Sequence, residues 1–197
     1  MSSAVHLTNE MLTPELADYQ RQFERIKQDA VALVAGLNES RFNWRPAPDQ
    51  WSIAECLQHL NITGDRWLCL LEHAIQQAQS RGLLGQGPFR YGWLGKWFVR
   101  NTEPPPKRKF KAPRWLTPVH GQPINAVVPT FLHLQDQLVR RLHEANGLDL
   151  ARAKTATPIS SLLKLSLGQS FAQIAAHERR HLWQARQVRS HPHFPSP

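Results

Sequence analysis

The sequence predicts an all-α protein, a four-helix bundle with one long Pro/Gly-rich crossover between its second and third helices. Apolar residues recur every three or four positions in four long segments, which is the period of an amphipathic helix. Capping and stop signals stand at the ends of these segments. No stretch alternates clearly enough between apolar and polar residues to predict a strand. The 197 residues, 41% hydrophobic and 20% charged, are typical of one soluble globular domain, which we expect to span 1–197.

The first two helices are predicted by their N-terminal signals. Thr13 followed by Pro14 marks the start of the first helix, because proline is favoured at the first helical position. Ser52, with Glu55 three residues later, is a capping box, in which each side chain satisfies a backbone donor of the other residue. The second helix therefore begins after Ser52, and its apolar stripe continues to about Gln79.

The segment 79–123 interrupts the helical pattern and forms the predicted crossover. It contains nine Lys and Arg residues against Glu103 alone, so nine minus one gives +8 of the net charge of +9. Seven of the 15 prolines also lie here. Its seven aromatic residues indicate that it packs on the body of the protein, with a short helix over Tyr91 to Asn101. An anionic partner would meet the protein at this basic segment.

The third and fourth helices follow the crossover. The third begins within Asn125–Pro129 and stops at Asn146-Gly147, a typical C-terminal signal. The fourth starts near Ser166 or Ser170. The tail 191–197 is expected to be frayed.

His177 and His181 are the most informative residues of the chain. They lie four positions apart on the apolar stripe of the fourth helix, so both rings face the same side and are buried. A buried imidazole needs a partner for its nitrogens, which is either a shared metal ion or an ordinary acceptor such as a backbone carbonyl. A zinc or nickel site usually needs a third protein ligand. His59 lies in mid-helix beside the core stripe, although periodicity does not establish that it points inward. The remaining histidines fall in termini, in the crossover or on polar helix faces: His6, His73, His120, His133, His143, His191 and His193.

Two motifs resemble the DinB family of bacterial proteins. They are Trp51-Ser52-Ile53-Ala54-Glu55 leading to His59-Leu60, and His177-x-x-x-His181 followed by Gln184-Ala185. The likeness extends from about Tyr19 to Val188 and is weakest in the crossover. It implies an up-down-down-up bundle, a homodimer, and a divalent metal held by His59, His177 and His181.

The resemblance also implies a function. Some DinB relatives are transferases or isomerases that activate a low-molecular-weight thiol such as bacillithiol, mycothiol or glutathione. We therefore expect a metal-dependent S-transferase, with zinc or nickel, a small-molecule thiol and an electrophilic substrate. A non-enzymatic, stress-associated metal-binding protein is the alternative. Nucleic-acid binding through Lys107–Lys111, with Trp97 and Trp115 nearby, is less expected, because no recognition motif accompanies the charge.

Other polar residues have plainer interpretations. Glu55 is interpreted as the capping glutamate, with a role as metal-site helper or proton acceptor as the alternative. Glu178 and the flanking Arg179 and Arg180 are predicted to lie on a solvated face, with the arginines as candidates to bind thiol carboxylates. The two cysteines, Cys56 and Cys69, are predicted to be buried and unpaired, because 13 residues of helix separate them by about 20 Å. The chain shows no signal peptide or transmembrane run, so we expect a cytoplasmic protein without a membrane partner.

Overall fold

The computed structural model describes residues 11–106 and 111–196. Within these residues the chain forms six α-helices, one 3-10 turn and one two-stranded sheet. The helices are α1 (Pro14–Val34), α2 (Glu39–Phe42), α3 (Ile53–Ser80), α4 (Trp93–Thr102), α5 (Ile124–Glu144) and α6 (Leu167–Arg189). The strands are β1 (Lys154–Thr157) and β2 (Ser160–Ser166), and the 3-10 turn covers Arg114–Leu116. The predicted all-α class is confirmed only as far as the protein is mostly helical.

Local signals placed the long helices well. The side chain of Ser52 accepts a hydrogen bond from the backbone of Glu55, and Glu55 accepts one from the backbone of Ser52, so the predicted capping box starts α3. Ser166 caps α6 in the same way with Gln169. The third predicted helix, α5, begins at Ile124, one residue before the predicted range.

The core lies between the four long helices. Helix α3 packs against α5 and α6, and α1 packs against the same two helices. Large side chains from all four fill the space between them, among them Phe23, Leu57, Phe131 and Phe171, each fully buried. The up-down-down-up order of these helices stays a prediction.

The prediction that the chain lacks strands is wrong. Strands β1 and β2 form an antiparallel hairpin in which Thr155 lies opposite Leu165, and both residues are buried. The inward residues of β1 are Thr155 and Thr157, whose polar side chains conceal the alternation from a hydrophobicity pattern. The hydroxyl of Thr155 is satisfied by the Leu70 carbonyl of α3, at 3.2 Å.

The crossover packs on the body only in part, through the short helix α4. Phe89, Tyr91 and Phe98 pack against the core as predicted, whereas Trp93, Trp97 and Trp115 are more than half exposed. Helix α4 packs against α6, and the Gln169 side chain donates a hydrogen bond to the Gly92 carbonyl at 2.9 Å. A Cβ at Gly95 would lie 2.2 Å from Nε2 of Gln169, so a larger residue there would displace the Gln169 amide and this hydrogen bond. The run Lys107–Phe110, where most of the predicted nucleic-acid motif falls, lies outside the described residues.

Two smaller predictions fail. The tail is not frayed at Phe194, because its ring packs edge-on against Trp44 with centroids 5.5 Å apart. Cys56 is buried as predicted, but Cys69 is exposed. Among the described helices, none is both long and apolar enough to cross a membrane.

Candidate metal centre

Three histidines from two helices meet inside the protein. His59 comes from α3, and His177 and His181 come from successive turns of α6. One ring nitrogen from each lies within 4.8 Å of the others. His59 and His181 are only 4% and 9% exposed, and His177 is partly buried. The structure therefore brings together the three residues that the sequence singled out, and His59 does point inward.

The spacing of the nitrogens suits a small metal ion. The Nε2 atoms of His59 and His177 are 3.3 Å apart. Two nitrogen ligands of a tetrahedral zinc ion, each about 2.0–2.1 Å from the metal, lie about 3.3 Å apart. The ring centroid of His181 lies 4.5 Å from that of His59 and 4.6 Å from that of His177. The three rings therefore surround a common centre.

The crossover fixes the orientation of His59. Its Nδ1–H donates a hydrogen bond of 2.7 Å to the carbonyl oxygen of Leu116, in the 3-10 turn. Because a carbonyl can only accept, this bond places the proton on Nδ1 and leaves the lone pair of Nε2 facing the cluster. The ring of Trp51 packs on two members, with its centroid 4.9 Å from His59 and 5.7 Å from His181.

Burial keeps the three imidazoles neutral. It lowers the pKa of His177 to about 3, helped by nearby His59 and Arg180. Burial likewise lowers the pKa of His59 and takes the pKa of His181 well below its ordinary range. Neutral imidazole is the form that binds a metal, so at neutral pH protons do not compete for these nitrogens.

One nitrogen of the cluster is unsatisfied. Among the described residues, Nδ1 of His181 is buried and meets no partner at hydrogen-bond distance and angle, although the neighbouring Gln184 side chain acts on this ring and opposes part of the effect of burial on its pKa. A buried polar atom left without a partner costs about 1–3 kcal/mol. A cluster of three neutral imidazoles with an unsatisfied nitrogen fits a divalent cation better than it fits a set of satisfied core histidines.

Glu55 acts at the edge of this site as a structural residue. Its carboxylate accepts hydrogen bonds from the guanidinium of Arg45, and its Oε2 lies 3.4 Å from Nδ1 of His120. Burial by itself would raise the pKa of Glu55, but hydrogen bonds from Arg45 and Ser52 outweigh burial and leave the pKa below its ordinary value. The interpretation of Glu55 as the capping glutamate is confirmed.

The predicted solvated face around Glu178 is wrong. Glu178 is 2% exposed, and its Oε1 accepts a hydrogen bond from the Gln135 side chain at 2.9 Å. Burial raises its pKa to about 8. Arg179 is half-buried and pairs with Glu103 and Gln22, so it ties α6 to the end of α4 and to α1.

The other histidines stay away from the cluster. His73, His133 and His143 are exposed, as predicted, and His120 faces Glu55 instead of the three rings. His191 and His193 lie in the tail, and His6 falls outside the described residues. Sequence reasoning missed the Leu116 carbonyl, since any residue can supply a carbonyl. It also missed Gln135, for which no motif gives a signal.

The fold and the cluster define a helical protein whose three-histidine site fits a divalent metal ion. The family model of the DinB superfamily matches residues 22–185, and the chain belongs to that superfamily. No curated protein and no solved structure matches the chain.

Proposed function

We propose that His59, His177 and His181 bind one divalent metal ion, zinc or nickel, and that the protein uses it as a thiol-dependent S-transferase. The observation that supports this most is the convergence of three neutral imidazoles, with one nitrogen of each within 4.8 Å of the others. Three neutral ligands leave the double charge of the ion uncompensated. When bound, such an ion would lower the pKa of a thiol held at its open position, so that the thiol reacts as thiolate.

The residues around the cluster would then bind and orient the thiol substrate. Arg180 is close enough to lower the pKa of both His177 and His181 through its charge, and it is partly buried. A guanidinium in this position would attract the carboxylates of a low-molecular-weight thiol. Arg179 pairs with Glu103, so a substrate carboxylate would have to displace this ion pair to bind there.

The proposed reaction is a substitution at an electrophilic carbon. The thiolate sulfur donates an electron pair to form the new carbon–sulfur bond, and the leaving group departs with the electron pair of the bond that breaks. Trp51 and Leu116 take no part in this exchange; they hold the rings of the cluster in place.

A non-enzymatic metal-binding protein is the second candidate function. The burial of His59 and His181 favours it, because a deeply held ion is retained well but is reached slowly by a substrate. The two candidates share the metal site and differ only in turnover.

Metal content per chain tests the proposed site. We expect about one equivalent of metal in the untagged wild-type protein after exposure to zinc or nickel, and loss of it in His59→Ala and His177→Ala. The exposed His133→Ala on α5 is the matched control and should keep its metal. Absence of metal from the wild type after refilling would overturn the proposal.

A substrate screen separates the two functions. The metal-loaded protein is assayed with bacillithiol, mycothiol or glutathione and a panel of electrophiles, beside Arg180→Ala. Turnover by the wild type that disappears in His177→Ala supports the transferase, and a higher KM for the thiol in Arg180→Ala supports its carboxylate-binding role. A fully metal-loaded protein that turns over none of the thiol–electrophile pairs supports the non-enzymatic function.

A further inference from the structure

Two grooves flank the β1–β2 hairpin on the outside of the protein. The first, about 490 Å³, lies between α3 and the hairpin, and its floor is aliphatic, with Leu70, Ala74 and Ala78. The second, about 410 Å³, lies between α4 and the hairpin. Both are separate from the histidine cluster: Leu70 lies 11 residues beyond His59 on the same helix, about 16 Å along its axis.

The grooves are joined by two lysines. Lys154 and Lys164 line both of them, and Arg81 and Arg152 add two more cations to the first. Among the described residues that line either groove, none is acidic. None of these four cations lies in an ion pair among the described residues. The result is a continuous cationic track across the hairpin, which we call the hairpin surface.

The hairpin register places the two lysines on one side of the sheet. Lys154 pairs with Ser166 and Lys164 pairs with Ala156, so the lysines are diagonal neighbours. Diagonal neighbours on a sheet are close enough for long side chains to interact, so the two positive charges reinforce each other's field. Within the described part of the chain, the Nζ of Lys154 donates only to the neutral Ala151 carbonyl, at 2.8 Å. An anionic ligand would supply the missing counter-charge.

Aromatic side chains border the same track. Trp97 and Phe98 line the second groove, and Trp93 lies one helical turn before Trp97 on α4. Trp93 is 76% exposed and Trp97 is 58% exposed, which leaves flat faces open to a ligand. Lys96 and Arg100 on α4 are exposed beside them. Cations that follow a groove, with exposed aromatic rings along it, are the arrangement that binds single-stranded nucleic acid.

We propose that the hairpin surface binds single-stranded nucleic acid, with Lys154 and Lys164 on the phosphates and Trp97 stacked on a base. A single strand can follow both grooves and stack on Trp97 at once, whereas a flat bilayer would meet only the exposed lysines and not the grooves between them. A second copy of the chain is disfavoured, because two cationic surfaces repel. This inference does not depend on the metal site, and it rests on described residues outside Lys107–Phe110.

Binding of a fluorescein-labelled 20-nucleotide oligo(dT), followed by anisotropy at several salt concentrations, tests the proposal. For single strands log K falls with log [salt] by about 0.7 for each phosphate contact. We therefore expect Lys154→Ala/Lys164→Ala to make this slope shallower by about 1.4. The control Arg25→Ala/Arg140→Ala removes the same charge from exposed positions on α1 and α5 and should leave the slope unchanged.

The stacking contact has its own variant. Trp97→Ala should weaken binding roughly fivefold or more, since stacking on one base contributes about 1–3 kcal/mol. Trp115 lies on the 3-10 turn and is 56% exposed, so Trp115→Ala is the matched control and should bind as the wild type does. His177→Ala should also bind normally, which separates this test from that of the metal site.

Three results would overturn the proposal. The first is an equal loss of affinity in the lysine double variant and its arginine control. The second is binding of a 20-base-pair duplex as tightly as the single strand. The third is binding to vesicles of anionic phosphatidylglycerol, reduced by the lysine double variant, without binding to the oligonucleotide.

Discussion

Glu55 holds three parts of the chain together through one carboxylate. It caps α3 at Ser52, pairs with Arg45 in the connection before the helix, and faces His120 in the crossover. The side chain is 1% exposed, whereas that of Arg45 is 32% exposed. A buried carboxylate keeps its charge only when hydrogen bonds compensate for lost hydration, and Arg45 and Ser52 supply them.

The charge of Glu55 should make stability depend on pH. Its pKa is below the ordinary value of 4.5 in the folded state, so the unfolded state takes up the proton first as the pH falls. The stabilisation is therefore complete above about pH 5 and is lost as the pH falls through the folded pKa. Glu55→Gln keeps the capping hydrogen bond but removes the charge. We expect it to lower the free energy of unfolding at pH 7 by about 1–3 kcal/mol, measured by urea denaturation.

The difference between Glu55→Gln and the wild type should shrink as the pH is lowered to 3. Glu24→Gln, on the exposed face of α1, is the control and should change stability by less than about 0.5 kcal/mol at either pH. A difference in the free energy of unfolding that stays constant from pH 7 to pH 3 would show that Glu55 stabilises the fold through its packing and not through its charge.

At the scale of single residues, the sequence predicted the side chains that act through a local pattern. His177 and His181 lie on one face of α6, and Glu55 completes the capping box of α3. Each arrangement is set by a few residues of a single helix, and both were predicted correctly. Glu178 was wrongly predicted, because its burial depends on Gln135 from another helix. Local composition carries no information about such a partner.

At the scale of elements, α3 and α5 approach closely at one glycine. A Cβ at Gly64 would lie 2.4 Å from Cδ1 of Leu134, nearer than real Cβ atoms come to other atoms. Gly64 lies in mid-helix, where glycine costs about 1 kcal/mol relative to alanine. The close approach of the two helices explains why glycine is tolerated there.

Gly64→Ala should therefore destabilise the protein in spite of its better helix propensity. We expect a loss of about 1–3 kcal/mol from overpacking, measured by urea denaturation. Leu134→Ala alone should also destabilise, by leaving a cavity. In the double variant the new methyl group occupies part of that cavity. The loss of unfolding free energy in the double variant should therefore be smaller than the sum of the two single losses by about 1 kcal/mol or more. Additive losses would show that Leu134 is not what the methyl group meets.

Element boundaries were predicted best where a cap is present. The start of α3 at Ser52 and of α6 at Ser166 follows from side chains that satisfy the first backbone donors. Strands β1 and β2 were missed because their burial comes from packing on α3, through Thr155 and Leu70, and not from an apolar repeat. A short two-stranded sheet is stable only with such support.

At the scale of the molecule, the histidine cluster joins distant parts of the chain. His59 and His177 are separated by 118 positions, and the Leu116 carbonyl that orients His59 belongs to a third segment. The sequence could predict the members of the cluster through the two DinB-like motifs. It could not predict the third segment, because the path of the crossover is set by packing of α4 on α6.

A metal ion bound across α3 and α6 should stabilise the whole fold. Ligands that bind only the folded state raise the free energy of unfolding by about 2.7 kcal/mol at a free concentration of 100 times Kd. For a domain of this size about 2–4 °C accompanies each kcal/mol, so zinc added to chelator-treated protein should raise the Tm by about 5–10 °C. The variant His133→Ala, at an exposed position, should show the same rise in Tm as the wild type, and His177→Ala should show none. The Tm is followed by circular dichroism. An equal rise in both variants would place the zinc outside the cluster, whatever the activity of the protein.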